Sequence, residues 1–239
     1  RGPSASINPE TVRQPSFKHP QVAPVVIQRV PTVQDDPGQA GINVAASARF
    51  NPSQIDFDAS LAVDTVNVLT DRAIIDWTTF ANGAPGQEVT FLGADGRLAF
   101  ASELSDYTVL NRILTPGFDS AVRLDGVVTS TIAGGEIGGN VWFSSVGGLV
   151  VGSNATFNVG SLLLTANAPD LDAFGSGNTS LSFAASGGST ASVRIEDGAS
   201  LSAHGNDAYI AVIAPRVVQL GQVAADGSIA YVAAEAATL

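Results

Sequence analysis

The chain has 239 residues, 45% of them hydrophobic and only 14% charged; this is too apolar for a disordered chain and long enough for one large all-β domain or two small ones. With 11 Lys+Arg against 22 Asp+Glu and a net charge of −11, it lacks the clustered cations that nucleic acid or an anionic membrane surface requires. No Cys is present, which removes disulfides, thiolate metal sites and thiol nucleophiles, and no stretch approaches the ~20 apolar residues of a membrane-spanning helix.

Taken in order, residues 1–40 hold seven of the twelve prolines, from Pro3 to Pro37, with Pro52 just beyond. Proline breaks central strands and helix interiors alike, so this segment is read as an extended arm. Val25-Val26-Ile27 is its one strand-like burst and would suit an exposed sheet edge. The arm would serve as a processed leader, as a cap along the domain, or as a plain linker. There is no Met, even at position 1, which reads as a chain either processed or cut from a longer one, and no signal peptide is visible.

Residues 41–239 are read as one β domain. Its first stretch alternates, in Ile55-Asp56-Phe57-Asp58, Leu61-Ala62-Val63 and Val66-Asn67-Val68. This predicts a cap of short antiparallel strands over about 41–70, shielding the open end of a repeat. Asp56 and Asp58 lack the glycine and third carboxylate of a calcium loop and read as a solvated strand face. Ile74 to Phe80 is a strand, followed by the turn cluster Ala81 to Gly86. Val89 to Leu92 and Leu98 to Phe100 flank Asp95-Gly96, a hairpin signal. Trp77, Phe80, Phe91 and Phe100 supply buried area in a chain of small residues.

Val109-Leu110-Asn111-Arg112-Ile113 sets a polar pair between apolar flanks. Asn111 reads as a buried hydrogen-bonding residue at a corner, beside a surface Arg112. Gly117 to Thr131 supplies a further strand pair, with corners at Gly134-Gly135 and Gly138-Gly139.

From Gly139 to Ala166 there is no Pro, Lys or acidic residue. Three apolar bursts, Val141-Trp142-Phe143, Leu149-Val150-Val151 and Leu162-Leu163-Leu164, are separated by Gly, Ser and Asn. The spacers are too short for helical crossovers, so the pattern is strand, corner, strand, corner. Val141 to Leu162 is 21 residues, Leu162 to Leu181 is 19, and Ala211 to Tyr231 is 20. A period near 20 with three strands matches one coil of a three-sided parallel β-helix. Trp142 and Phe143 are expected to point partly inward. Glu196-Asp197-Gly198 is a turn between Val193-Arg194-Ile195 and Leu201-Ser202-Ala203.

Little in the chain carries chemistry. His19 lies in the Pro-rich arm and His204 in a turn, so neither forms a triad or a metal spacing. Asp35-Asp36, Asp56 with Asp58, and Asp170 with Asp172 read as solvated pairs. The glycine pairs precede no helix, so no phosphate loop is present. Asn154-Ala155-Thr156 and Asn178-Thr179-Ser180 match a glycosylation pattern that arises often by chance. No cofactor, metal or catalytic residue is expected, and the chain is read as a monomer.

Four segments resemble the filamentous haemagglutinin-type secretion domain of two-partner secretion exoproteins. They are Ile74 to Phe80, Val109 to Ile113, the run Val141 to Gly152, and Ala208 to Val217, in the family's order. Ser145-Val146-Gly147-Gly148 stands where the family has Asn-Pro-Asn-Gly, and only the last Gly matches. The resemblance implies a right-handed parallel β-helix with an N-terminal β cap and short antiparallel strands outside the helix. It also implies a non-enzymatic role: recognition by an outer-membrane transporter's periplasmic modules, and folding that templates a long adhesin. Location would be the bacterial cell surface or medium, reached through the periplasm, where a chain without Cys threads unhindered. Ser145, Val146, Gly147 and Gly148 would form the secretion-motif-like turn, and Asn111 and Arg112 would be open to the transporter. A structural fibre module is the alternative. A β-helix enzyme acting on acidic polysaccharide fits less well, because Lys18 is the only lysine.

Overall fold

A computed structural model describes residues 42–44, 47–50, 64–78, 87–115, 120–178 and 180–239. The Pro-rich arm, the Asp56–Asp58 stretch, Phe80 and the Ala81–Gly86 turn lie outside them. Apolar runs of a few residues, each closed by Gly, Asn, Asp or Ser, become short strands joined by corners. First come β1 (Ile42–Val44) and β2 (Ser47–Phe50), then β3 (Asp64–Val68), β4 (Arg72–Thr78) and β5 (Val89–Leu92). The next are β6 (Arg97–Ala101), β7 (Thr108–Leu114), β8 (Val122–Leu124), β9 (Val127–Thr131), β10 (Asn140–Ser144) and β11 (Leu149–Val151). After β12 (Thr156–Val159) and β13 (Ser161–Thr165) the chain makes an excursion of β14 (Ala168–Pro169), α1 (Leu171–Gly175) and β15 (Ser182–Ala184). It resumes with β16 (Ser192–Ile195), β17 (Ser200–Ala203), β18 (Tyr209–Ala214), β19 (Arg216–Gln219), β20 (Gln222–Ala225), β21 (Ser228–Ala233) and β22 (Ala236–Thr238).

Three parallel sheets result. Sheet A is β1-β3-β6-β9-β12-β17-β20, sheet B is β2-β4-β7-β10-β13-β18-β21, and sheet C is β5-β8-β11-β16-β19. The chain passes from A to B to C and returns to A one strand further along. The described residues are thus all-β with mostly parallel sheets, consistent with a β-helix or solenoid. A small antiparallel sheet, β14-β15-β22, stands apart from the three.

Parallel register stacks like positions into rows, because alternate side chains of a strand face opposite sides. On sheet B the inward row is Ile75, Asn111, Phe143, Leu164 and Val212. On sheet A it is Leu98, Val128, Phe157, Leu201 and Val223. Phe143 is fully buried, with its ring 6.4 Å from Phe100 and 5.9 Å from Phe157. Each fully buried apolar side chain in these rows stabilises the fold by about 1.5–3 kcal/mol.

Several expectations are corrected. Val66–Val68 pairs in parallel with β1 and β6, not antiparallel; it is a rung of sheet A. Asp95-Gly96 is a corner between sheets C and A, with the Gly96 amide on the Gly93 carbonyl at 2.9 Å, so it closes no hairpin. Val141 does pair with Leu162. Leu162, however, pairs with Ile210, not with the Leu181 segment, which belongs to the excursion. Val212, not Ala211, stands beside Tyr231. On sheet A, Arg97 pairs with Val127, Val127 with Thr156, Thr156 with Ser200 and Ser200 with Gln222, steps of 30, 29, 44 and 22 residues. Corners and the excursion vary in length while register along sheet A holds, so no single period holds.

Candidate functional site

Sheet B gathers the segments singled out above. β4, β7 and β10 are successive neighbours in it, and β18 follows β13 two strands on. Asn111 sits mid-strand on the inward row, fully buried, not at a corner. A buried amide costs free energy unless its hydrogen bonds are met. Asn111 Oδ1 accepts from Trp77 Nε1 at 3.0 Å and Nδ2 donates to the Trp142 carbonyl at 3.1 Å. One side chain thus ties β4, β7 and β10 together inside the core.

Arg112, one position on, faces the opposite side of the sheet. It pairs with Asp76, its neighbour in register on β4, at 3.0 Å. Both side chains remain partly exposed, so this ion pair contributes at most about 1 kcal/mol. Arg112 is therefore accessible from outside, whereas Asn111 is not.

The Ser145–Gly148 turn links sheet B to sheet C. The Gly148 amide donates to the Ser145 carbonyl at 3.0 Å, the closure of a four-residue turn. The Ser145 amide donates to Thr165 and the Gly148 carbonyl accepts from Val122, at 3.1 and 3.0 Å. Ser145 is buried, and its hydroxyl meets no partner among the described residues. Val146 stands out at 55% exposure at the tip. Gly148 has φ +109°, and a Cβ there would lie 2.7 Å from the Ser192 carbonyl oxygen. Both the left-handed backbone and the close approach of β16 require glycine.

Trp142 is the second correction on this sheet: Phe143 faces in, but Trp142 faces out. The excursion and β22 cover it. Leu110, Trp142, Leu163, Ala211 and Ile213 pack under Phe174, Leu181 and Phe183 as a separate apolar cluster. Trp142 lies 5.5 Å from Phe174, and its Nε1 donates to the Tyr209 hydroxyl at 2.7 Å. Burial pushes the Tyr209 phenol up to about 12. Asp170, expected as one of a solvated pair, caps α1 by accepting from the Ala173 amide at 3.0 Å. Arg72 donates to the Phe174 carbonyl at 3.1 Å and lies over that ring. Asn167 donates to the Ala234 and Glu235 carbonyls at 3.1 and 3.2 Å, fastening the excursion to the turn before β22.

One charged cluster went unread in the sequence. On the outside of sheet C, Arg123 bonds Glu88 at 2.8 Å and Glu196 at 2.9 and 3.1 Å. Arg194 reaches the same Glu196 at 2.6 Å. The signal was the alternation in Val122-Arg123-Leu124 and Val193-Arg194-Ile195, which puts both arginines on one face. Two cations and two anions balance, and the arginines hold Glu196 below the usual carboxylate value, the hydrogen bond from Arg123 being the main cause.

Among the described residues, no group of three or more His, Cys, Asp or Glu is placed to hold a metal, and no helix is long and apolar enough to cross a membrane. His204 lies in an exposed turn, 3.5 Å from Asp226. His19 falls outside the described residues. No family model, curated protein or solved structure matches the chain.

Proposed function

We propose that this chain is a secretion-recognition and folding-nucleating domain of a large, adhesin-like bacterial exoprotein, and not an enzyme. Its partner is an outer-membrane two-partner secretion transporter, and its destination is the cell surface or the medium. On this reading the three sheets form a right-handed three-sided β-helix, the hand that parallel strand–crossover–strand connections take in about 98% of cases.

The observation that carries the reading is the convergence on sheet B. The four segments that resemble the secretion family, up to 143 positions apart from Ile74 to Val217, lie largely on β4, β7, β10 and β18 of this one sheet. Asn111 joins the first three through its two hydrogen bonds. Within that frame the exposed positions open to a transporter are Val146 at the turn tip and Arg112 on the outer face, whereas Asn111 acts through folding.

The test is export. The chain is expressed with a periplasmic signal in a Gram-negative host, with and without the outer-membrane barrel encoded beside its gene. Appearance in the medium only with the barrel supports the reading. Equal amounts in the medium with and without it reject the reading and leave a structural solenoid module.

A further inference from the structure

The excursion runs along the solenoid, across its coils. Beneath it lies the outward row of sheet B: Ile74, Leu110, Trp142, Leu163 and Ala211, one residue from each of β4, β7, β10, β13 and β18. Val232 of β21 packs against the same cluster. Neighbouring strands lie about 4.8 Å apart, so the five steps from β4 to β21 span about 24 Å. The excursion is tied at both ends of that span. Arg72 of β4 donates to the Phe174 carbonyl and lies over its ring at 5.4 Å. Asn167 Nδ2 donates to the Ala234 and Glu235 carbonyls, just past β21. Asn167 is fully buried. A buried side-chain amide needs partners, and these two come from the segment that follows β21.

β13 and β21 leave sheet B in the same way. Ala166-Asn167 leads from β13 into β14, and Ala234-Glu235 leads from β21 into β22. β15 lies between these two exits, antiparallel to both. β14 has only two residues, one of them Pro169. β22 therefore supplies most of the ladder that holds β15: Ser182 beside Thr238, Phe183 beside Ala237 and Ala184 beside Ala236. The Ala185 amide adds a bond to the Glu235 carbonyl at 2.7 Å.

In a solenoid each coil contacts only its neighbours, so coils can open one at a time. We propose that the excursion and β22 form a latch across the coils. Closed, it makes the coils from β4 to β21 open as one unit. It closes only when β22 is laid on β15, after β21 has wound. The latch does not depend on the secretion reading, because it rests on contacts within the chain. Phe183 is the place to open it. Its ring is buried and 6.3 Å from Trp142, and its strand lies outside the three parallel sheets. Losing that ring loosens the cover and leaves every ladder of the coils intact.

Native-state hydrogen exchange read by mass spectrometry tests this on three proteins: the wild type, Phe183→Ser, and Phe183→Ser carrying Ala184→Cys with Ala236→Cys. Ala184 and Ala236 are exposed. They form a non-hydrogen-bonded antiparallel pair, because Ala185 and Glu235 beside them are bonded. Their Cα atoms are then about 4.5 Å apart, within reach of a disulfide, and the chain has no other cysteine to compete. In the wild type under mild urea, β7 and β18 amides should show protection equal to within about threefold. In Phe183→Ser the β18 amides should lose at least about tenfold in protection relative to those of β7. The oxidised cysteine pair should restore equal protection, and reductant should abolish it again. Asn167→Ala, which removes both donors to the segment after β21, replaces Phe183→Ser in both variants if that change prevents folding. Unequal protection of β7 and β18 in the wild type overturns the proposal. So does an equal loss in both strands of the opened variant, which would leave the excursion a plain apolar cover. A disulfide that changes nothing overturns it as well.

Discussion

Asn111→Ala tests whether Asn111 matters through folding or through direct recognition. The side chain is fully buried and makes two hydrogen bonds, one to the Trp77 indole and one to the Trp142 carbonyl. Removing the amide strips a partner from each: the buried indole N–H is left unpaired, which costs about 1–3 kcal/mol, while the Trp142 carbonyl keeps its ladder bond to β7. The space left inside the coil adds to this, as in other large-to-small core changes. The expected loss is therefore about 3–5 kcal/mol, of the order of a marginal domain's stability. Asn111→Leu separates the causes, since it fills the space but still deprives both groups. It should recover only the cavity part, and in the double variant with Trp77→Phe the loss assigned to the indole should vanish. Urea unfolding followed by tryptophan fluorescence and by circular dichroism measures all four proteins. A loss below about 1 kcal/mol for Asn111→Ala would refute the argument, because the amide could then not be bridging three strands. Normal stability with failed export would instead make Asn111 a residue read by the transporter.

Phe143→Ala should cost about 3–5 kcal/mol, since the ring is fully buried between Phe100 and Phe157; denaturant unfolding checks it, with a loss under about 1 kcal/mol meaning a register error of one residue. Gly148→Val should lower the thermal midpoint and the secreted yield together, because φ +109° and the Ser192 carbonyl at 2.7 Å both oppose a Cβ, a strain of about 1–3 kcal/mol before the clash is counted. Val146→Pro should be neutral or stabilising by about 0.4–1 kcal/mol, because Val146 is the second residue of the turn, where proline is favoured; a lower thermal midpoint would contradict that. Acid should also act through Glu196. Its folded-state pKa lies below the usual 4.5, so its contribution is complete above about that pH and is lost as the pH falls through the lowered value. Glu196→Gln should flatten the stability-against-pH curve below pH 4.5, and an unchanged acid slope would refute this.

The sequence by itself determined the class of fold. Short β-forming bursts closed by Gly, Asn and Asp leave no room for helical crossovers, and alternation along a strand already selects which residues face in. Hence Phe91, Phe100 and Phe143 were legible as core. The corner at Gly148 was legible too, since few other residues accept its backbone. Which strand lies beside which was decided by tertiary structure alone. Leu162–Leu164 and Leu181–Phe183 look alike as apolar bursts, but one is a rung of sheet B and the other part of a cover over it. Corner length is free to vary as long as register is kept, so spacing along the chain does not report stacking. Trp142 shows the same limit. A strand that is apolar on both faces does not say which face is covered by the coil and which by an excursion that comes later in the chain. Asn111 read as a hydrogen-bonding residue, but its partners, Trp77 and the Trp142 carbonyl, lie 34 and 31 positions away. Only winding the chain brings them together.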